Sequence, residues 1–513
     1  MTDETLYIIG IDSAPLWIIK RFHRGMRMRG FSEFIERGAL TDMESTMPPM
    51  TGPSWPSIYT GVRPGRHGVP EFLRMEPNYT KSVVYYDAAV RRPFWDTLAM
   101  NGVRCLVMTP AMAVTPSSVD GVDMISGFPL PARFSSQRVK AVAKEYAFSG
   151  EPEIEADMKS GKVTLREASS IYLKSIRTRS EMSRELIETG KYGMAFICFT
   201  ETDRMQHFSM NMPDWQSYVL PLYKGISDFM EWLEHRAGDE GATVMLVSDH
   251  GAQPIREKFL MNGWLINKGY AKLRPELEAS IASSGSRGTV RYAVREKLLK
   301  AVNRSGSRKV LYDKLPKSIK GMAKAAMAKT LAGASAEDYT RLHDFDYDMA
   351  GTRAFASVAN CPVATIFIND GRFDSGRVVK PSDKRALKRE LMKNLLNIKD
   401  KDGRRVIVNV YDGDDYYEGT KLFIAPDIMA EAREGCLLDS FGYLKSGGLF
   451  IKPEMAKRGD HLRNGIFGLL SYGRELDYDR IADKKLYVYN VEPTVLKYFG
   501  MKPDNDRRYG PIF

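Results

Sequence analysis

The sequence predicts an α/β protein: a mostly parallel central sheet with helices on both faces, plus a basic helical insertion. Three observations carry this. Apolar, β-rich runs recur along the chain, as in "LYIIGID", "VRCLVMT", "MAFICFTETD", "ATVMLVSDHG", "VATIFIND" and "RVIVNVYD". Helical stretches separate them, as parallel strands require. Three of the runs stop at acids or at a histidine, and parallel sheets gather functional groups at their carboxyl ends.

Composition sets the bounds. The chain has 513 residues, 43% hydrophobic and 27% charged, which suits a large soluble core of more than one domain. No apolar run approaches the roughly 18 residues of a spanning helix. The start, "MTDETLYIIGIDSAP", carries acids where a signal peptide needs positive charge. The expected location is therefore the cytoplasm, with peripheral membrane contact left open. Cys105, Cys198, Cys361 and Cys436 are widely spaced, as ordinary buried thiols are.

Along the chain, the first run closes on Asp12. Alone, an Asp there reads as a turn or helix cap. Next comes "PPMTGPSWPSIYTGVRPGRHG", in which Thr51 precedes Gly52 and two close prolines, with a helix-like run behind. An N-cap threonine is the plain reading; a nucleophile on a helix N-terminus is the sharper one. A later run ends in Glu201, Thr202 and Asp203, with His207 four residues on. At i,i+4 the two side chains share a helix face. "SDHG" places Asp249 beside His250, and "RGDHLRNGIFG" holds His461. Each alone reads as a turn or a surface loop. Yet the chain has only seven histidines, and three lie beside acids in such contexts. Asp and His together suit zinc or another borderline divalent ion.

The formal charge of +11 is concentrated. Residues 287–329 hold 13 of the 75 Lys and Arg but 2 of the 64 acids, which leaves 62 of each elsewhere. Apolar residues such as Val290, Val294, Leu298 and Val302 recur there at helical spacing. Two or three short basic helices are expected, either packed on the body or meeting an anionic membrane surface or another polyanion. The expected organisation is a first core part at 1–265, this insertion at 266–350 as a cap or lid, and a second core part at 351–513.

In this order the motifs resemble the alkaline phosphatase superfamily, and within it the type I phosphodiesterase and nucleotide pyrophosphatase branch. "IIGIDSAP" is similar to the first metal-binding strand end, and "PPMTGPSWPSIYTGVRPGRHGV" to the nucleophile motif. "TETDRMQHFSM", "VSDHGAQP" and "GDHLRNGIF" resemble the later ligand motifs, and "YNVEPTVLKYFGM" the closing helix. The resemblance covers nearly the whole chain. It implies an alkaline-phosphatase-like core with two divalent metal ions, one held by Asp12, Thr51, Asp249 and His250. The other would be held by Asp203, His207 and His461. Zinc suits this set first, and manganese also suits it.

The implied function is a metal-dependent phosphoric ester hydrolase of phosphodiesterase or nucleotide pyrophosphatase type, with Thr51 as nucleophile and a phosphoester as substrate. Metal and helix terminus would stabilise the Thr51 alkoxide, and Gly52 would let a phosphoryl group approach. Two alternatives use the same site, a phosphomonoesterase and a phospho-headgroup transferase. A basic binding protein on an inactive scaffold is a third, against which the intact ligand set argues. Ser54 stands where relatives carry asparagine, so it is the expected phosphate contact, as a weaker donor. Trp55 is expected either to stack on the substrate or to sit in the core. The C/S-x-P-x-R pattern of sulfatases is absent. His67 is expected to be structural. Oligomeric state has no signature in the chain.

Overall fold

Leu6–Ile11 is buried along its whole length, as a strand covered on both faces must be. Tyr7, Ile9 and Ile11 point into one apolar cluster, and Leu6 and Ile8 into another, the alternation of a strand inside two helical layers. The computed structural model describes residues 4–283, 339–341, 346–357, 361–374, 376–417, 420–440, 442–444, 446–453, 457–503 and 508–513. The basic segment 287–329, with its expected membrane or polyanion contact, lies outside these residues.

Among the described residues the central sheet has nine strands. In chain order they are β1 (Leu6–Ile11), β2 (Ala39–Glu44), β3 (Cys105–Met108), β4 (Val122–Ser126), β5 (Arg133–Phe134), β6 (Met194–Phe199), β7 (Thr243–Val247), β8 (Asn464–Ser471) and β9 (Leu486–Tyr487). Their spatial order is β9-β2-β8-β7-β1-β6-β3-β4-β5. The run β7-β1-β6-β3-β4 is parallel throughout. β8 runs antiparallel to β7 and β2, and β5 to β4.

Six helices matter for the site: α1 (Thr51–Thr60), α2 (Leu165–Thr189), α3 (Glu201–Ser209), α4 (Gln216–Glu240), α5 (Pro381–Leu396) and α6 (Val491–Tyr498). α2, α3 and α4 cover one face of the sheet through residues such as Ile176, Met205 and Phe229. α1 and α6 cover the other through Trp55, Tyr59, Val495 and Leu496. Local signals fix the ends. A Thr164–Glu167 capping box starts α2. Gly241 closes α4 in the left-handed region at φ 64°.

Between β7 and β8 the chain builds a second sheet. Ala354–Ala356, Val363–Ile368, Ile428–Ala432 and Ile407–Asp412 pair antiparallel in that order. α5 packs there through Leu387, Leu391 and Leu395, in an apolar cluster of its own. This corrects two expectations. "VATIFIND" and "RVIVNVYD" do not join the parallel sheet, and the chain does not return to that sheet at 351 but at Asn464. Short apolar runs look alike in either kind of sheet. The second of these strands is an edge with Val408 and Asn409 exposed, the half-solvated pattern of antiparallel sheets. The four cysteines are free and buried. No described helix is long and apolar enough to cross a membrane.

Candidate active site

The carboxyl ends of β1, β6 and β7 are neighbours, so their loops converge. β1 delivers Asp12. β6 runs through Thr200 into α3, whose first two turns carry Asp203 and His207. β7 is followed by Ser248, Asp249 and His250. His461 arrives on a short strand, Gly459–Leu462, which pairs with Gly251–Pro254 and sets Ala252 opposite His461. All seven expected ligand residues come together here.

Thr51 is the first residue of α1; the N-cap is Met50, and no side chain caps the helix. The capping role is thereby excluded for Thr51. Its buried hydroxyl instead lies 3.3 Å from Asp12 Oδ1 and 3.3 Å from His250 Nε2. His250 Nε2 is also 3.0 Å from Asp249 Oδ2 and 3.6 Å from Asp12 Oδ1. Beside this group, Asp203 Oδ2 lies 3.3 Å from His207 Nε2, and Asp203 Oδ1 3.5 Å from His461 Nε2. The ligand atoms of Asp203, His207 and His461 all fall within 4.8 Å of one another, as do those of Asp12, Asp203 and His250.

The ring orientations show what this constellation needs. Nδ1 of His207 meets the Gly459 carbonyl at 2.8 Å, Nδ1 of His461 the Pro49 carbonyl at 2.8 Å, and Nδ1 of His250 the Gly251 carbonyl at 3.1 Å. A carbonyl only accepts, so each Nδ1 carries a hydrogen, and in the neutral ring Nε2 is the nitrogen with the lone pair. Those nitrogens face carboxylate oxygens. Among the described residues, Asp249 Oδ2 is buried without a hydrogen-bond partner. Its other oxygen receives the amide of Ser13, at 3.1 Å, which is turned by a left-handed φ of 62°. Among the described residues, the only ion-pair partners of Asp12, Asp203 and Asp249 are histidines. Burial, then the charges of Asp249 and Asp203, push the Asp12 carboxyl well above the usual range. Lone pairs converging on lone pairs, in a buried acidic pocket, fit divalent cations with mixed nitrogen and oxygen ligands.

The three residues expected at the substrate fare differently. A Cβ on Gly52 would meet Phe72 N at 3.0 Å and Glu71 C at 3.1 Å; the close approach glycine permits is to that backbone. The hydroxyl of Ser54 is buried, 2.7 Å from those of both Ser45 and Thr46. Trp55 is fully buried between Tyr59 and Phe196. Stacking on a substrate is thus ruled out for it. Its indole N–H donates to Asp12 Oδ2 over 3.1 Å. His67 bridges to the Ser57 hydroxyl at 3.0 Å, and burial pushes its pKa down to about 3, as a structural histidine.

Sequence reasoning missed the supports. Arg179, wholly buried, reaches Glu201 at 2.9 Å and Glu151 at 3.1 Å. Arg204 joins Glu151 at 2.9 Å. This ladder backs the first turn of α3. Asp460, readable only as a neighbour of His461, takes the amide of His461 at 2.7 Å and the ammonium of Lys457 at 2.8 Å.

The family model of type I phosphodiesterases and nucleotide pyrophosphatases matches residues 6–351. That span takes in Asp12, Thr51, Asp203, His207, Asp249 and His250, and ends before His461. Among solved structures, phosphonoacetate hydrolase from Sinorhizobium meliloti 1021, in complex with phosphonoacetate, matches with a TM-score of 0.55 at 14% identity. The match covers 96% of this chain and 94% of that one. Murine ectonucleotide pyrophosphatase / phosphodiesterase 5 matches with a TM-score of 0.47 at 13% identity, over 98% of this chain and 97% of that one. No curated protein sequence matches the chain.

Proposed function

The chain belongs to the type I phosphodiesterase and nucleotide pyrophosphatase family, and we propose that it hydrolyses phosphodiesters or pyrophosphates with Thr51 as nucleophile at a two-metal centre. The observation that carries this is the placement of Thr51 Oγ1 on the first residue of α1, 3.3 Å from both Asp12 Oδ1 and His250 Nε2.

Asp12, Thr51, Asp249 and His250 would hold one divalent ion and Asp203, His207 and His461 the other, with zinc suited first and manganese next. Bound there, the ions would lower the cost of the threonine alkoxide and neutralise charge on the phosphoryl oxygens. The protein's own part is positional. Trp55 and the Ser13 amide fix two carboxylates, and three backbone carbonyls fix three imidazoles. The N-terminal end of α1 adds partial positive charge where phosphoryl oxygens would lie.

Thr51 Oγ1 then forms a bond to phosphorus as its proton passes to solvent. The bond from phosphorus to the leaving oxygen breaks, and its electron pair departs with that oxygen. Water then cleaves the threonine–phosphorus bond of the resulting phosphothreonine ester, which releases the monoester and restores the hydroxyl. Among the described residues the polar contacts of the Thr51 hydroxyl are Asp12 and His250, with no cationic side chain to take a second phosphate charge. This favours a diester over a monoester.

The test is hydrolysis of bis-p-nitrophenyl phosphate beside p-nitrophenyl phosphate. The enzyme is stripped of metal and then given zinc or manganese, with Thr51→Ala in parallel. Diester cleavage restored by metal and lost in the variant is expected. Preference for the monoester would make the protein a phosphatase, and turnover of neither would turn attention to transfer.

A further inference from the structure

Lys457 is charged, largely buried and unused by the chemistry above. Its side chain is 25% exposed, with Nζ 2.8 Å from Asp460 Oδ2. Asp460 is itself tied to His461, through the 2.7 Å bond from the His461 amide and a 3.7 Å approach of Oδ1 to Nδ1. The adjoining residue, Arg458, donates its amide to the carbonyl of His207 at 2.8 Å. Lys457 therefore lies beside the segment that carries His461 and next to the backbone at His207. Burial works against its charge, but Asp460 and, more weakly, Cys361 and Asp203 hold its pKa up.

The nucleophile lies at the other end. Thr51 groups with Asp12 and His250, and Asp203, His207 and His461 form the adjoining set, with Asp203 within 4.8 Å of the Asp12 and His250 ligand atoms. In-line displacement puts the departing oxygen opposite the attacking one. With Thr51 attacking from the Asp12–His250 side, the leaving oxygen would depart toward the Asp203–His207–His461 set, and Lys457 lies beside the segment that carries His461. Among the described residues Asp460 takes one of the three N–H donors of the ammonium, and two remain for a ligand.

We propose that Lys457 is a specificity-determining residue that binds the leaving group, and that it favours substrates whose leaving group carries a negative charge of its own. The proposal rests on the threonine reading given above. Asp460 would hold the ammonium in place, so that it meets an anionic leaving group already oriented. A lysine present only to balance Asp460 would influence every substrate alike.

Two probes separate these roles. Bis-p-nitrophenyl phosphate carries an uncharged substituent on its leaving oxygen, whereas cleavage of ADP-ribose at the adenylyl phosphorus expels ribose 5-phosphate. In the metal-loaded enzyme, Lys457→Met should lower kcat/KM for ADP-ribose about tenfold more than for bis-p-nitrophenyl phosphate, as loss of a charge-assisted hydrogen bond implies. Lys457→Arg should recover part of the difference. An equal fall on both probes, or no fall on either, would overturn the proposal. Calorimetric binding of ribose 5-phosphate to the same metal-loaded protein needs no turnover, so it stands even if the hydrolase reading fails. About tenfold weaker binding in Lys457→Met supports the role, and unchanged binding refutes it. Lys457→Gln, which keeps a donor for Asp460, repeats both measurements should the methionine variant not fold.

Discussion

The indole N–H of Trp55 donates to Asp12 Oδ2 over 3.1 Å, while Oδ1 of the same carboxylate faces the Thr51 hydroxyl at 3.3 Å. Trp55 stands one helical turn beyond Thr51, so α1 both presents the nucleophile and orients a carboxylate beside it. Trp55→Phe keeps most of the ring and removes the donor. Metal affinity should fall about 10- to 100-fold, the usual effect of losing a partner of a ligand. Stability should fall by about 1–3 kcal/mol for the unsatisfied buried oxygen. Calorimetric zinc titration and thermal unfolding read the two quantities; unaltered zinc affinity would leave the indole a packing role only.

Thr51→Ala and Thr51→Ser separate the nucleophile from its surroundings. The alanine variant removes the attacking oxygen and should lose at least about 10³-fold in kcat. Serine keeps the oxygen and should retain measurable turnover. Both should stay folded, since the threonine methyl alone is removed from packing in the second. Acid-quenched enzyme should carry the phosphoryl group, with the ester substituent that did not leave, on residue 51 in wild type and in Thr51→Ser, and no such group in Thr51→Ala. An alanine variant that keeps wild-type turnover would end the covalent reading.

Much of this site could be read from the chain because its signals are local. The Asp203–His207 spacing, the Asp249–His250 pair and the ends of the apolar runs each sit within a few residues. Trp55 was ambiguous, since its fate depends on Phe196 and Tyr59 closing over it from a strand and a helix turn. The Arg179 ladder joins residues 151, 179, 201 and 204, which share no periodicity. The carbonyls of Pro49, Gly251 and Gly459 that fix the imidazoles carry no residue signature at all. The second sheet escaped for a different reason: strand direction is set by tertiary pairing, not by the composition of a six-residue run.

Arg179 is the keystone of the charges behind α3. Removing it leaves Glu201 and Glu151 buried with like charges, while Arg204 pairs with Glu151 and Glu155. Arg179→Met should destabilise by about 3–5 kcal/mol, the cost of an uncompensated buried pair. Arg179→Met combined with Glu201→Gln should recover part of that loss, because the remaining carboxylate keeps Arg204. Denaturant unfolding of the two variants checks this. Equal stability of single and double variants would show that the ladder does not act as a coupled network.

Glu234 gives the fold a pH dependence that can be assigned to one side chain. It lies on α4, 4% exposed, and its Oε1 has no hydrogen-bond partner among the described residues. Burial, followed by the charges of Glu33 and Glu231, raises its pKa from 4.5 to about 9. Between these values the folded state keeps a proton that the unfolded chain has already lost. Its contribution to stability is therefore complete below pH 4.5 and drains away as the pH rises toward 9, at about 1.4 kcal/mol per unit. Glu234→Gln is neutral at every pH and nearly isosteric, so it lacks this term. The wild-type melting temperature should fall more steeply than that of the variant between pH 6 and pH 9, and the difference curve should flatten above pH 9. The comparison isolates Glu234 from other groups with the same sign, such as Glu71, whose pKa burial lifts to about 8 in both proteins. Parallel curves would show that Glu234 is already ionised in the native state, and would return the alkaline loss to other groups.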